Sequence, residues 1–231
     1  MNFSSDSKFM ALCVRLVALC KINLLWLLCS LPVFTIGAST CAMLASLTAM
    51  RQEEDCGARV FFRAFRQHFS RATVLWLLIV FLGAMLALDY RIVAYLDFPG
   101  RMAVIVLIFF CAFALVLVGG IIFPLLVRYP GTVKDTIINA VLLSISNLPK
   151  MLLVTAMNTL PLLLLIVIPQ VFFFLSFLLP ICGFSLIGLY DLTVADKIFA
   201  ALAEQGPVMN VGCDLASSER SVALAQKYSF V

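Results

Sequence analysis

Long stretches without a charged residue dominate the pattern of this chain. A helix rises about 1.5 Å per residue and the hydrocarbon core of a bilayer is about 30 Å thick, so about 20 apolar residues cross it once. The longest stretch is interrupted by Pro169, which predicts a turn between two antiparallel spans, about 151–168 and 171–190. Two further uncharged runs predict one span each, at residues 72–88 and 102–127.

The first 50 residues allow two interpretations. Residues 22–50 carry no charge but are interrupted at Pro32. In the first interpretation, residues 5–21 form an amphipathic helix on the membrane surface and residues 22–50 form one kinked span, which gives five spans in total. In the second, residues 11–31 and 33–50 form a hairpin of two spans broken at Pro32, which gives six.

The basic residues predict which segments are cytoplasmic. Residues 51–71 contain five arginines and residues 128–150 contain three basic residues, whereas residues 89–101 contain two. The positive-inside rule therefore places the first two segments, and the chain after Asp191, in the cytoplasm. Counting the N-terminal basic residues inside favours the hairpin, but Lys21 near its middle would cost about 2.5–3.5 kcal/mol on insertion scales. We therefore favour five spans.

These patterns predict an all-α, polytopic helical membrane protein with five transmembrane helices, or six in the alternative, and with amphipathic cytoplasmic helices. Residues 1–204 form a single helical membrane domain, and residues 205–231 form a loosely structured cytoplasmic tail. We expect no cleaved signal peptide, because the N-terminal apolar stretch is far longer than the usual apolar region of about 7–15 residues.

The composition agrees with lipid as part of the solvent. The 231 residues are 64% hydrophobic and 12% charged, with a mean hydropathy of +1.12, whereas soluble domains are about 25% charged. The net charge of +4 lacks the basic excess of nucleic-acid-binding domains. The composition therefore excludes a secreted enzyme, a disordered region and a nucleic-acid partner.

Residue types that carry catalysis or bind metals are scarce. His68 is the single histidine of the chain, and the sequence contains no Walker lysine motif, no G-x-G-x-x-G and no Cys-x-x-Cys. The eight cysteines fall mostly in apolar runs, where a reduced cysteine behaves as a small hydrophobic residue. The sequence predicts no enzyme and no catalytic, cofactor-binding or metal-binding residue.

The polar residues within the predicted spans are uncharged. No carboxylate lies within the four spans that follow residue 71, since Asp89 and Asp191 fall at span ends. This disfavours a proton- or sodium-coupled carrier, which keeps an ionisable group at mid-membrane. Polar side chains in spans either hydrogen-bond across helices or line a solute path, and the first role carries more weight here. The residues concerned are Asn23, Thr35, Asn158 and Gln170.

Residues 58–71, which we call the Arg/Phe segment, predict an amphipathic helix at the cytoplasmic interface. Phenylalanines and arginines occupy opposite faces at helical spacing. Such a helix anchors a protein to anionic lipid headgroups, or it docks a cytoplasmic or membrane partner. A second, short cytoplasmic helix is predicted within residues 131–150. The docking surface of the Arg/Phe segment comprises Arg59, Arg63, Arg66, Arg71, Phe62, Phe65 and Phe69.

Several stretches together resemble the YesL family of bacterial integral membrane proteins. Residues 23–28 (NLLWLL) and 30–38 (SLPVFTIGA) resemble the opening signature of that family. Residues 62–69 (FRAFRQHF) are similar to its second block, although the family more often has Asn where this chain has His68. Residues 123–126 (FPLL) are similar to a later block.

The resemblance implies a multi-pass protein of the bacterial cytoplasmic (inner) membrane, of a kind frequently encoded beside sugar ABC importers and carbohydrate-degrading enzymes. It supplies no catalytic residue. We therefore expect a non-enzymatic accessory or regulatory component of carbohydrate (ABC-type) uptake, with the bilayer, anionic headgroups and importer subunits as partners. The alternative is a self-sufficient channel or facilitator for a small neutral solute. No cofactor is expected, and the sequence leaves a homo-oligomer open.

Overall fold

A computed structural model of the protein describes residues 3–52, 57–96, 98–129, 131–167 and 179–204. In these ranges the chain forms helices and no strands, with a 3-10 turn at Val33–Thr35 and a π-helical turn at Leu179–Gly183. The helices are α1 (Phe3–Ser30), α2 (Ile36–Arg51), α3 (Ala58–Tyr95), α4 (Arg101–Arg128), α5 (Val133–Ser146), α6 (Leu148–Val167) and α7 (Phe184–Glu204).

Four segments are long and apolar enough to cross a membrane: Cys13–Ser30, Val33–Arg51, Ala58–Tyr95 and Arg101–Arg128. A fifth is obtained if α5 and the first part of α6, which meet at a bend of 104°, are one broken span. The all-helical membrane class predicted from the sequence is thus confirmed for the described residues. Much of the predicted span 171–190, together with Gln170 and the tail 205–231, lies outside them.

Pro32 divides the N-terminal apolar region into two helices. Proline has no backbone N–H and its ring clashes with the preceding helical turn, so α1 ends at Ser30 and Pro32 adopts an extended conformation. The Thr35 hydroxyl lies within hydrogen-bond distance of the Cys29 and Pro32 carbonyls. Residues 22–50 are therefore two helices and not one kinked helix.

The arrangement of α1 and α2 is that of the hairpin interpretation. The hydroxyls of Ser30 and Ser39 are 2.6 Å apart, and Trp26 Nε1 donates to Thr40 Oγ1 at 3.2 Å, so residues before and after the turn face each other in opposite order. The N-terminal residues predicted as a separate surface helix belong to the same continuous helix α1.

The Arg/Phe segment and the predicted span 72–88 are likewise one helix. The 38 residues of α3 extend about 57 Å at 1.5 Å per residue, which is well beyond a bilayer core of about 30 Å. No proline occurs in α3, and its first glycine is Gly83, so nothing near residue 71 bends the helix. The Arg/Phe segment therefore continues the axis of the span and has no bend that would separate it as a surface helix.

The short helix predicted within residues 131–150 corresponds to α5. It begins with a capping box in which Asp135 N donates to Thr132 Oγ1 at 3.3 Å and Thr132 N donates to Asp135 Oδ2 at 3.1 Å. It ends at Ser146, and Pro149 falls in the first turn of α6, where a missing N–H does no harm.

Helix α2 lies at the centre of the packing. Its apolar window is 61% buried, compared with 11–17% for those of α1, α3 and α4. The core around α2 brings together three helices besides it, and the outer faces of α3 and α4 leave large apolar side chains exposed, as lipid-facing helices do. The buried core comprises Leu19, Ile22, Ala42, Met43, Leu44, Leu47, Phe61, Ala64 and Leu192.

The chain divides into two compact units, residues 1–195 and residues 196–231. The first contains α1 to α6 and most of α7. The described part of the second is the C-terminal end of α7, up to Glu204.

Candidate functional site

A cavity of about 540 Å³ lies between α1, α2, α3, α4, α6 and α7. Ligand pockets in proteins are typically about 300–1,000 Å³, mostly apolar, with a few convergent polar groups. The wall of this cavity is mostly apolar, and the polar side chains on it are Thr40, Thr155, Asn158 and Asp191.

Asn158 and Asp191 form the polar centre of the cavity. Asn158 Nδ2 donates to both carboxylate oxygens of Asp191 at 3.0 Å, and it also donates to the Val154 carbonyl at 3.0 Å. Asp191 is half-buried. No lysine or arginine is on the described wall of the cavity. The site therefore holds a carboxylate that is stabilised by an amide and by no neighbouring cation on that wall.

Four aromatic side chains face the same space: Trp26, Trp76, Phe123 and Phe184. The ring centroids of Trp26 and Phe184 are 4.6 Å apart, so α1 and α7 are in direct contact here. The indole N–H of Trp26 is bonded to Thr40, and that of Trp76 donates to a backbone carbonyl at 2.8 Å. The indoles therefore offer the cavity ring surfaces and no unused N–H donors.

One buried hydroxyl on the wall has no partner in the described part of the chain. It is Thr155 Oγ1, one helical turn before Asn158. A buried polar atom without a hydrogen bond is rare in proteins and points to an unseen partner.

Glycines create the space and the close helix contacts of the wall. A Cβ atom at Gly83 would meet its nearest neighbour, in Leu115, at 4.0 Å, and one at Gly119 would meet Ile79 at 3.9 Å, which is ordinary contact. At Gly188 of α7 a Cβ would lie only 2.9 Å from Met43 Cε of α2. The first two glycines leave room in the cavity, whereas Gly188 allows α7 to approach α2.

Of the polar residues predicted within the spans, Asn158 lines the cavity, but Asn23 and Thr35 do not. Asn23 is fully buried and connects α1 to the start of α7: its Nδ2 donates to the Pro180 carbonyl, and its Oδ1 accepts from Ser185 N at 3.1 Å. Thr35 holds the turn between α1 and α2. Gln170 lies outside the described residues.

Asp191 and the two tryptophans were missed as site residues. Asp191 is the first charge after a long apolar run, and the predicted span bounds placed it at a span end and outside the membrane-embedded residues. Helical periodicity could have indicated Asp191, because Phe184, Gly188 and Asp191 lie on one face of α7 and that face lines the cavity.

The Arg/Phe segment presents its arginines to the exterior. All four are exposed. Its phenylalanines divide: Phe61 is fully buried in the core, Phe62 and Phe69 are 51% and 37% exposed, and Phe65 is half-buried with its ring centroid 5.5 Å from that of Phe69. Of the predicted docking residues, Phe65 is therefore partly covered, and the exposed ones are Phe62, Phe69, Arg59, Arg63, Arg66 and Arg71.

No group of three or more histidine, cysteine, aspartate or glutamate side chains that could hold a metal ion occurs in the described ranges. The described cysteines are free thiols: Cys13, Cys20, Cys29, Cys41, Cys111 and Cys182.

Comparison with known proteins gives one similarity. A family model described as "Protein of unknown function, DUF624" matches residues 19–90, which cover the second half of α1, all of α2 and most of α3. Among curated proteins and solved structures, nothing matches the chain. The matched region includes Trp26 and Trp76 of the cavity and all of the Arg/Phe segment, whereas Asn158 and Asp191 lie beyond it.

Proposed function

We propose that this protein binds a small polar solute in the cavity between its helices and takes part in the passage or uptake of that solute across the membrane. The observation that carries this proposal is the Asn158–Asp191 pair inside a cavity of about 540 Å³. Ionisable groups among membrane helices are costly, and they mark solute or ion pathways by default.

The proposal requires that water-soluble molecules reach the cavity. An apolar space between membrane helices is otherwise filled by lipid acyl chains. The chain has two tryptophans, and both line the cavity. Their fluorescence therefore reports which solvent enters.

The test compares two quenchers on the purified protein in lipid nanodiscs. We expect acrylamide, a small polar solute, to quench the tryptophan fluorescence. The cavity-filling variant Gly83→Leu should be quenched less, because its side chain extends into space that glycine leaves open. Ala84→Leu, on the exposed side of the same helical turn, is the matched control and should behave as the unaltered protein. Quenching by brominated lipid tails, with none by acrylamide, would contradict the proposal.

A second candidate role follows from the Arg/Phe segment. Its arginines are exposed on a helix that continues past the bilayer, an arrangement suited to a partner or to anionic headgroups. We propose that the protein is a non-enzymatic accessory of a bacterial carbohydrate ABC importer. This proposal is based on the exposed arginines and on the resemblance of residues 23–38 and 62–69 to the YesL family. The family match at residues 19–90 includes both stretches.

Neutralising this surface tests the accessory role. In Arg59→Gln/Arg63→Gln/Arg66→Gln we expect recovery of importer subunits by affinity purification from native membranes to fall strongly. Arg91→Gln, at the other end of α3, is the control and should recover them as the unaltered protein does. If the unaltered protein recovers no importer subunit but binds vesicles containing anionic lipid, the segment is a lipid anchor and the accessory role is contradicted.

We further propose that the protein resides in the bacterial inner membrane with its C-terminus in the cytoplasm. The five arginines of residues 51–71 support this orientation. A reporter fused after Val231 that is active only in the periplasm should be silent, and an active reporter would reverse the orientation.

A further inference from the structure

The cavity has few hydrogen-bond donors to offer a solute. The indole N–H groups of Trp26 and Trp76 already donate to protein oxygens. The two amide hydrogens of Asn158 are used as well, by a backbone carbonyl and by Asp191. On the described wall, the hydroxyl of Thr155 has no partner, but its oxygen is buried.

Acceptors, in contrast, remain in excess. An ionised carboxylate has about four lone-pair sites, and Asp191 receives one amide group from Asn158 in the described part of the chain. The amide oxygen of Asn158 receives no hydrogen bond from the described residues, since the bonds of that side chain run through Nδ2. A solute that donates hydrogen bonds therefore fits this cavity better than one that accepts them.

The charge of the wall points the same way. Asp191 is the one ionisable side chain on the described wall. An anionic solute would be repelled by this carboxylate. A neutral polyhydroxy solute brings an acceptor with every hydroxyl, and few donors are left to satisfy those acceptors. A cation pairs with the carboxylate, and its N–H or O–H groups, where it has them, supply the donors.

The aromatic side chains favour an organic cation over a metal ion. The π faces of Trp, Tyr and Phe attract alkylammonium groups and contact their alkyl substituents. Trp26, Trp76, Phe123 and Phe184 line the same cavity as Asp191. A metal ion, in contrast, would need a cluster of ligands, and the described residues hold none.

Resting on the proposed function, we infer that the solute taken up by this cavity is a small organic cation with an ammonium group, with Asp191 as its counter-ion and the indole rings around its alkyl part. This differs from the neutral solute of the alternative hypothesis drawn from the sequence, and the difference comes from the position of Asp191 in the cavity wall.

The experiment titrates the purified full chain in nanodiscs with three probes and follows tryptophan fluorescence. The probes are choline, its uncharged isostere 3,3-dimethylbutan-1-ol, and glucose. We expect choline to bind at least about tenfold more tightly than the isostere, since ion pairing and cation–π contacts are together worth more than 1.4 kcal/mol. We expect glucose to bind more weakly than choline.

Two variants test whether the preference for choline depends on Asp191. Asp191→Asn keeps the shape of the side chain and should reduce the preference for choline over its isostere several-fold, because the neutral amide no longer pairs with the charge and only the cation–π contacts remain. Asp89→Asn, an exposed aspartate outside the cavity, should keep the full preference. If Asp191→Asn does not fold, the comparison of the two probes on the unaltered chain decides alone.

The outcomes separate this inference from the function on which it rests. If the isostere or glucose binds as tightly as choline, and Gly83→Leu abolishes that binding, the cavity is a solute site for neutral molecules and the cation inference is overturned. If acrylamide quenching shows that the cavity is closed to water, the proposed function itself fails. An undiminished preference for choline in Asp191→Asn also overturns the inference, because Asp191 would then not be the counter-ion.

Discussion

Replacing Asn23 with leucine should lower the free energy of unfolding by about 2–4 kcal/mol, because each buried polar group left unpaired costs about 1–3 kcal/mol. The side chain is fully buried. Its loss would leave the Pro180 carbonyl and the Ser185 backbone N–H without this partner, in a region where water does not replace it. The measurement is reversible unfolding in mixed micelles, followed by helical circular dichroism.

Two control variants distinguish this connection from a general effect of polar-to-apolar substitution. Ser185→Ala removes a hydroxyl that contacts Asn23 and Leu19, but it leaves the backbone bond to Asn23, so we expect a loss of about 1 kcal/mol. Asn158→Leu removes the amide partner of Asp191, but Asn158 is exposed and Asp191 is half-buried, so we expect a smaller loss than in Asn23→Leu. If Asn23→Leu unfolds at the same denaturant concentration as the unaltered protein, the proposed role of Asn23 is contradicted.

The Asn23 connection also positions the cavity. Ser185 is the second residue of α7, and Phe184 beside it packs on Trp26 of α1. From Phe184 the cavity-facing stripe of α7 continues to Asp191. Asn23→Leu should therefore weaken solute binding as well as stability, whereas a variant of the wall such as Asp191→Asn affects binding first.

The sequence predicts the helical class and most helix positions because charge-free runs of about 20 residues have few alternatives in a bilayer. It indicates an interruption at Pro32 as well, since proline ends or kinks a helix. Which of the two occurs depends on the surroundings, because Pro124 lies within α4. The choice between one kinked helix and a hairpin depended on Lys21. The hairpin was disfavoured because the free-energy cost of inserting Lys21 was counted as if its charge were buried in the membrane. In the structure Lys21 is exposed on α1, where a long side chain can extend toward the interface.

The continuity of α3 and the composition of the site depend on tertiary information. An amphipathic pattern such as that of the Arg/Phe segment is compatible with a helix lying on a membrane and with a helix that continues a span, because periodicity does not report where a helix bends. Asn158 was singled out by being polar within a span. Its partner Asp191 is 33 positions away, and no local pattern indicates that α6 and α7 bring the two side chains together.

The contact of α2 with α3 gives the second large prediction, in Gly37→Ala. A Cβ atom at Gly37 would lie 2.5 Å from the Ala72 carbonyl oxygen and 2.7 Å from Trp76 Cβ. The Ala72 carbonyl oxygen belongs to the backbone of α3 and cannot move away by a side-chain rotation. The added methyl group therefore requires α2 and α3 to separate. Overpacking of this kind costs about 1–3 kcal/mol, and we expect the upper part of that range for Gly37→Ala.

Gly119→Ala provides the matched control, because it adds the same methyl group to a helix without a close contact. A Cβ at Gly119 meets its nearest neighbour at 3.9 Å, and alanine is favoured over glycine in a helix by about 1 kcal/mol, so Gly119→Ala should unfold at the same or a higher denaturant concentration. Separation of α2 from α3 in Gly37→Ala should also strain the bond from Trp76 Nε1 to the Val33 carbonyl, now 2.8 Å, and thereby change the tryptophan emission. Equal stability of Gly37→Ala and Gly119→Ala, with unchanged emission, would show that the two helices are not held as closely as this contact requires.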